Sequence, residues 1–145
     1  MMRSRSNLLG ATLLEVMLVL SIVSLIILMS VRYYQATSTA SKTQQVMSAI
    51  QAITAAADNV SLGSAGGYSA ATSSNIVAIA GSSALVSPGG GNITVTPGSS
   101  TTYNVTIPAI QANVCSIIKV KLKDNLKYNI TCSGNNLAYS YDSTK

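Results

Sequence analysis

The hydrophobic positions of the chain fall into two patterns that together predict one long N-terminal helix. Residues 11–31 form an apolar run in which Glu15 is the only charged side chain. Further on, apolar residues recur at spacings of four, three, four and three, at Val46, Ile50, Ile53, Ala57 and Val60. This spacing marks one face of an amphipathic helix. Because no glycine or proline occurs between residues 11 and 62, nothing in the sequence interrupts that helix.

We therefore expect the helix to have two halves with different surroundings. The apolar half, residues 11–32, should protrude as a transmembrane or filament-core helix. The amphipathic half, residues 33–60, should pack against a globular head formed by residues 61–145. The expected fold class is α+β, with the long helix on an antiparallel sheet.

Alternating apolar and polar residues predict the strands of the head. We expect two short strands at residues 76–80 and 92–96, where apolar or β-branched residues lie among turn signals. Three further strands are predicted where alternating side chains would share one face: Tyr103, Val105 and Ile107; Tyr128, Ile130 and Cys132; and Leu137, Tyr139 and Tyr141. Turns are expected around residues 124–125 and 133–136.

The segment after residue 107 has two competing interpretations. Pro108 suits the first position of a helix, and apolar residues follow at helical spacing, so we expect a helix over residues 108–118. Alternatively, Ile118, Val120 and Leu122 alternate with lysines and would suit a strand.

Composition argues against an enzyme. The chain has 145 residues, of which 48% are hydrophobic and 9% charged, and it contains no histidine. Histidine-based acid–base or metal chemistry is therefore excluded, and the four acidic residues lie far apart in sequence. We expect no catalytic residue, no metal site and no cofactor.

The apolar run is long enough to cross a bilayer. Its 21 residues would span about 32 Å as a helix, close to the thickness of the hydrocarbon core. Arg3 and Arg5 precede the run, so the positive-inside rule predicts a cytoplasmic N-terminus and a translocated head. Gly10, the plausible processing residue, comes before the apolar run rather than after it, unlike the cleavage site of a secretory signal.

Gly10 followed by Ala-Thr-Leu-Leu-Glu-Val and a long apolar helix resembles the class III signal of type IV prepilins. The resemblance implies cleavage after Gly10 by a prepilin peptidase, which removes residues 1–10 as a leader peptide. It further implies methylation of the new amine on Ala11 and polymerisation by an inner-membrane pilus assembly machinery. The protein would then pass from the inner membrane, with its head in the periplasm, into an extracellular filament of copies of itself.

Glu15 is predicted to take part in assembly. A carboxylate near the end of a membrane segment is costly, and such residues are usually functional and paired. The partner we expect is the positive amine of Ala11 on a neighbouring subunit, since an ion pair in an apolar filament core neutralises both groups and sets the axial register. The alternative is that Glu15 lies at headgroup level as an acid favoured by the helix dipole.

Cys115 and Cys132 are the only cysteines and lie on the translocated side, where oxidation is expected, so a disulfide is the default prediction. Together with the Gly/Ser-rich middle and Thr106-Ile-Pro108, the apolar pair after Cys115 and the second cysteine near the C-terminus resemble the type IVb pilins. This resemblance implies a pilin head closed by that bridge.

Several functions are compatible with these features. The chain would be the major structural subunit of a type IV pilus serving adhesion, aggregation or conjugation. The alternatives are a minor pilin or type II secretion pseudopilin and, in another class, a signal-anchored adhesin or DNA receptor that never polymerises. Four lysines could contact the phosphates of nucleic acid, although such clusters are more often solvated: Lys119, Lys121, Lys123 and Lys127.

Overall fold

A computed structural model describes the backbone of residues 6–145 and the side chains of residues 12–145. The chain divides into two compact units, with the boundary between Ser38 and Thr39. We call residues 12–38 the N-terminal segment and residues 39–145 the head.

Helix α1, Ser6–Gly63, runs through both units without interruption, as the absence of glycine and proline predicts. Within the head, its predicted apolar stripe is confirmed. Val46, Ile50, Ile53, Ala57 and Val60 are all buried, whereas Gln44, Gln45, Ser48 and Gln51 are exposed. The part of α1 that belongs to the head therefore packs against the core through its apolar face.

The strands described in residues 6–145 form one antiparallel sheet in the order β1-β2-β4-β3. Their bounds are Thr94–Pro97 for β1, Thr102–Ile107 for β2, Tyr128–Ser133 for β3 and Asn136–Asp142 for β4. The last two strands are joined by a tight turn that contains Gly134 at a φ of 57°. The α+β class and the long helix packed on an antiparallel sheet are confirmed.

One face of the sheet supplies about a third of the head's buried apolar residues. Residues that alternate along the strands are buried against α1 and the shorter helices, whereas their neighbours in sequence face outward. The buried set on the strands is Val95, Tyr103, Val105, Ile107, Ile130, Leu137, Tyr139 and Tyr141. The three alternating groups predicted from the sequence are thus strands β2, β3 and β4, although Cys132 itself is exposed.

The prediction of a strand at residues 76–80 is wrong, because these residues lie in helix α2, Ser73–Ala80. Thr72 caps this helix by accepting a hydrogen bond from the backbone N–H of Asn75 at 3.4 Å, and Gly81 ends it with a φ of 83°. A run this short has no clear periodicity, so its local caps decide the outcome. The strand expected at residues 92–96 is shifted, since Asn92 forms only an isolated bridge with Val86 and β1 begins at Thr94.

The helix after β2 exists but begins later than predicted. Helix α3 is Ala112–Lys121, with Gln111 as its N-cap. Pro108 lies in the preceding loop because Ala109 has a φ of 58°, which no α-helix accommodates. The competing strand at Ile118, Val120 and Leu122 is excluded as well, since Ile118 and Val120 are helical and Leu122 is the C-cap.

Candidate functional site

The N-terminal segment presents an apolar surface on all sides of the helix. Fifteen large apolar side chains lie between Leu13 and Val31, and each is exposed, from 43% at Val23 to 72% at Leu14. Residues 12–31 span about 30 Å of helix, the thickness of a bilayer's hydrocarbon core. A helix of this length with a single charged side chain can lie in lipid or among other apolar helices, and it is long and apolar enough to cross a membrane.

Serine hydroxyls within this apolar surface are hydrogen-bonded to the helix itself. Ser21, Ser24 and Ser30 donate to the carbonyl oxygens of Met17, Leu20 and Ile26 at 2.8, 2.7 and 2.8 Å. Each bond joins a residue to the one four positions earlier. These hydroxyls therefore need no water, which lowers the cost of placing them in an apolar environment. Sequence reasoning missed this feature, although serines in an apolar helix are its signal.

Glu15 is the only charged residue of residues 12–31, and its side chain is exposed on α1. Its predicted partner is the amine of Ala11 in another copy, so the single chain does not test the pairing. Gly10 and Ala11 lie in α1 by their backbone, but their side chains are outside the described ones. The predicted leader arginines Arg3 and Arg5 lie outside the described residues altogether.

The C-terminal end of the apolar surface is marked by a cation and two aromatic rings. Arg32 is followed by Tyr33 and Tyr34, whose side chains are 76% and 75% exposed. Tyrosine is enriched at membrane–water interfaces, where its ring and its hydroxyl both find a suitable environment. Sequence reasoning missed this feature, although its signal is present: two tyrosines separated from the apolar run by a single arginine.

In the head, a disulfide joins helix α3 to the edge strand β3. Cys115 and Cys132 are bonded, with their Cα atoms 6.1 Å apart, as predicted. Cys115 is 1% exposed and packs in the core beside Val114 and Ile118, whereas Cys132 faces solvent. The bond therefore fixes the edge strand β3 to the buried face of α3.

A hydroxyl cluster connects α1 to the sheet. The Thr54 hydroxyl accepts a hydrogen bond from the Tyr103 hydroxyl at 3.1 Å, shares another with Tyr128 at 3.1 Å, and donates to the carbonyl of Ile50 at 2.9 Å. One turn further along α1, the Tyr68 hydroxyl donates to the Asp58 carboxylate. Polar bonds between elements distant in sequence thus supplement the apolar packing.

The tyrosine rings of the head pack against one another. Ring centroids are 5.0 Å apart for Tyr103 and Tyr141 and 5.8 Å apart for Tyr128 and Tyr139. Burial raises the pKa values of Tyr103, Tyr128 and Tyr139 above the usual value, because the charged phenolate would be poorly solvated there. Burial also raises the pKa of Tyr68, with the hydrogen bond to Asp58 as the next cause. These groups are neutral at physiological pH and serve packing.

The described residues contain no group of three or more histidine, cysteine or acidic side chains that could hold a metal ion. The four lysines, predicted either to contact phosphates or to be solvated, are exposed at the end of α3 and in the following turn. Comparison with protein-family models, curated proteins and solved structures found no match for this chain.

Proposed function

We propose that this chain is the major structural subunit of a type IV pilus, a thin filament built from copies of the chain. The observation that carries the proposal is the apolar surface of residues 12–31, on which every large side chain is exposed. The N-terminal sequence from Gly10 to Val16, which resembles a prepilin signal, gives that surface its specific interpretation.

The energy of covering this surface keeps residues 12–31 out of water, either in lipid or among sister helices. Full burial of one large aliphatic side chain stabilises by roughly 1.5–3 kcal/mol, and these side chains are already about half shielded by their neighbours. Covering all fifteen side chains therefore stabilises each subunit by on the order of 15 kcal/mol relative to exposure of the surface to water. Lipid covers the surface before assembly, and sister helices cover it in the filament. The hydroxyls of Ser21, Ser24 and Ser30 are internally bonded, so they oppose neither environment.

Glu15 sets the axial register of helices that apolar contacts alone would leave free to slide along one another. In lipid near the membrane centre a carboxylate costs about 3 kcal/mol, and less toward the interface. Cleavage after Gly10 creates an amine at Ala11, four residues before Glu15 on the same helix. Pairing that amine with the Glu15 of a neighbouring copy neutralises both charges and permits only one axial offset between helices.

In this proposal, a prepilin peptidase and an inner-membrane assembly machinery act before polymerisation. Arg3 and Arg5 hold the N-terminus in the cytoplasm, and the head faces the periplasm, where the disulfide forms. Arg32, Tyr33 and Tyr34 suit the periplasmic interface of the bilayer while the subunit waits in the membrane.

The test is to shear cells that produce the chain and to analyse the released material by gel electrophoresis and N-terminal mass spectrometry. An abundant band whose sequence begins at methylated Ala11 supports the major-subunit role. A mature chain present in sheared material only in trace amounts would instead indicate a minor pilin or pseudopilin. A chain that stays in the membrane and begins at Met1 would indicate a signal-anchored adhesin or receptor and overturn the proposal.

A further inference from the structure

The end of helix α3 and the turn before strand β3 form an exposed surface that is both basic and apolar. We call this surface the basic edge; it consists of Lys119, Val120, Lys121, Lys123, Leu126 and Lys127. Its two apolar members are 70% and 75% exposed, at Val120 and Leu126. Nothing in the proposed filament core uses these residues, so they need a separate explanation.

The segment 119–127, which contains the basic edge and Asp124, carries a charge equal to the net charge of the head. Residues 39–145 contain six lysines and three aspartates, a net charge of +3, and residues 119–127 alone contain four lysines and one aspartate, also +3. Outside this segment, Asp142 pairs with Lys145 at 4.0 Å. The lysines of the basic edge make no ion pair with any residue that the structure describes. Their charge is therefore available to an anionic partner.

Helix geometry directs Val120 outward and places one lysine on each side of it around the helix. Ile118 is fully buried, and successive residues of an α-helix are rotated by about 100°. Val120 therefore points away from the core, and Lys119 and Lys121 lie on its two sides. Val120 therefore contributes little to the core of the isolated head, since it is 70% exposed.

The turn that carries the other members of the basic edge is ordered by hydrogen bonds. The backbone N–H of Asn125 donates to the carbonyl of Leu122 at 3.1 Å, and the N–H of Lys127 donates to the Asn125 side chain at 3.2 Å. The disulfide joins both flanking elements. The surface is thus presented in a defined shape, which lowers the entropy lost on binding.

We propose that the basic edge docks onto the surface of an anionic lipid bilayer. Exposed lysines adjacent in sequence to exposed aliphatic side chains match such a surface, because the cations can contact lipid phosphates while Val120 and Leu126 enter the headgroup boundary. Nucleic acid suits the surface less well, since the basic edge has no exposed aromatic ring for base stacking. The nearest ring, Tyr128, is half-buried and its hydroxyl is bonded to Thr54.

The test uses the full chain held by its apolar helix in nanodiscs of neutral phosphatidylcholine, at one chain per disc. Fluorescence correlation spectroscopy then measures how the labelled discs bind added vesicles that contain 30% phosphatidylglycerol or none. This arrangement removes the contribution of the apolar helix to vesicle binding. It also requires no polymerisation, so its outcome is independent of the pilus proposal.

We expect binding to the anionic vesicles only, weakened as ionic strength rises. Each neutralised lysine should lower the partition coefficient about fivefold, so Lys119→Gln/Lys121→Gln should lower it about 25-fold. The matched control, Lys42→Gln/Lys145→Gln, removes the same charge outside the basic edge and should change binding less than threefold. Val120→Asn/Leu126→Asn leaves the charge unchanged and should lower binding at least fivefold.

Equal losses in the two lysine pairs would show a general charge effect and overturn the proposal. Unchanged binding in Val120→Asn/Leu126→Asn would overturn it too, because the aliphatic contact would then be absent. The same discs are titrated with duplex DNA. Binding to DNA that depends on Lys119 and Lys121, together with no binding to anionic vesicles, would assign the surface to nucleic acid instead.

Discussion

Removal of the disulfide tests how the head holds its edge strand. The bond joins two residues that are 17 positions apart in sequence. In the chain-entropy relation, closing a loop of this length stabilises the folded head by about 3 kcal/mol. The two cysteines differ in surroundings, since Cys115 is 1% exposed and Cys132 faces solvent. Cys132→Ala should therefore cost about 3 kcal/mol, the bond alone. Cys115→Ala should cost about 4 kcal/mol, because it also removes a buried side chain from the core.

The assay is urea unfolding of the full chain in detergent, followed by near-ultraviolet circular dichroism, which reports on the packed tyrosines of the head. Reduced wild-type protein serves as the control and should match Cys132→Ala within about 1 kcal/mol, since both lack only the bond. An unfolding midpoint that reduction leaves unchanged would contradict this role of the disulfide. A greater loss of stability in Cys132→Ala than in Cys115→Ala would contradict it as well, because the difference in burial predicts the reverse order.

Three further predictions concern single groups. Glu15→Ala should leave a cleaved, membrane-held chain that yields at least tenfold fewer sheared filaments, and Glu15→Asp should give an intermediate yield. Normal piliation of Glu15→Ala would contradict the ion pair. Thr54→Val should destabilise the head by about 1–3 kcal/mol in urea unfolding, because it leaves the buried Tyr103 hydroxyl without its hydrogen-bond acceptor. The control Thr96→Val, at an exposed position, should change stability by less than about 0.5 kcal/mol. Burial raises the pKa of Tyr139 in the folded state. The stability that the neutral Tyr139 side chain gives the fold is therefore complete below the unfolded-state pKa of about 10, and it is lost as pH rises above that value. Tyr139→Phe should therefore reduce the fall in urea midpoint between pH 9 and pH 11, and an identical fall in both proteins would refute the assignment.

Elements whose side chains repeat with a clear period were predictable from the sequence. The stripe from Val46 to Val60 recurs over four turns, long enough to distinguish a helix from a strand, and each of its members is buried. The alternation in β2 and β4 was equally clear because one face of each strand packs on the core. Two cysteines allow one pairing, so the disulfide needed only the prediction of an oxidising compartment.

Short elements were not predictable because local caps and backbone angles decide them. Residues 76–80 are rich in β-branched side chains, yet Thr72 and Gly81 bound them as a helix of eight residues, Ser73–Ala80. Pro108 met the usual preference for a helix start, but the positive φ of Ala109 postpones the helix to Ala112. No periodic pattern encodes either feature.

Contacts between residues distant in sequence were also not predictable. Thr54 and Tyr103 are 49 residues apart in sequence and meet because α1 and the sheet share one core. The candidate assembly surface was different, since it follows from composition alone: fifteen apolar side chains and one carboxylate in residues 12–31. The partner proposed for that carboxylate lies in another copy, so one folded chain does not contain it.

The central claim is that sister helices cover the apolar surface and that Glu15 pairs with the amine of Ala11 between copies. The most direct measurement is a cryo-electron-microscopy reconstruction of filaments sheared from cells that produce this chain. We predict that residues 12–31 line the filament axis, with the Glu15 carboxylate within about 4 Å of the Ala11 amine of an adjacent copy. Filaments in which residues 12–31 face solvent, or in which Glu15 has no cationic neighbour, would contradict the account.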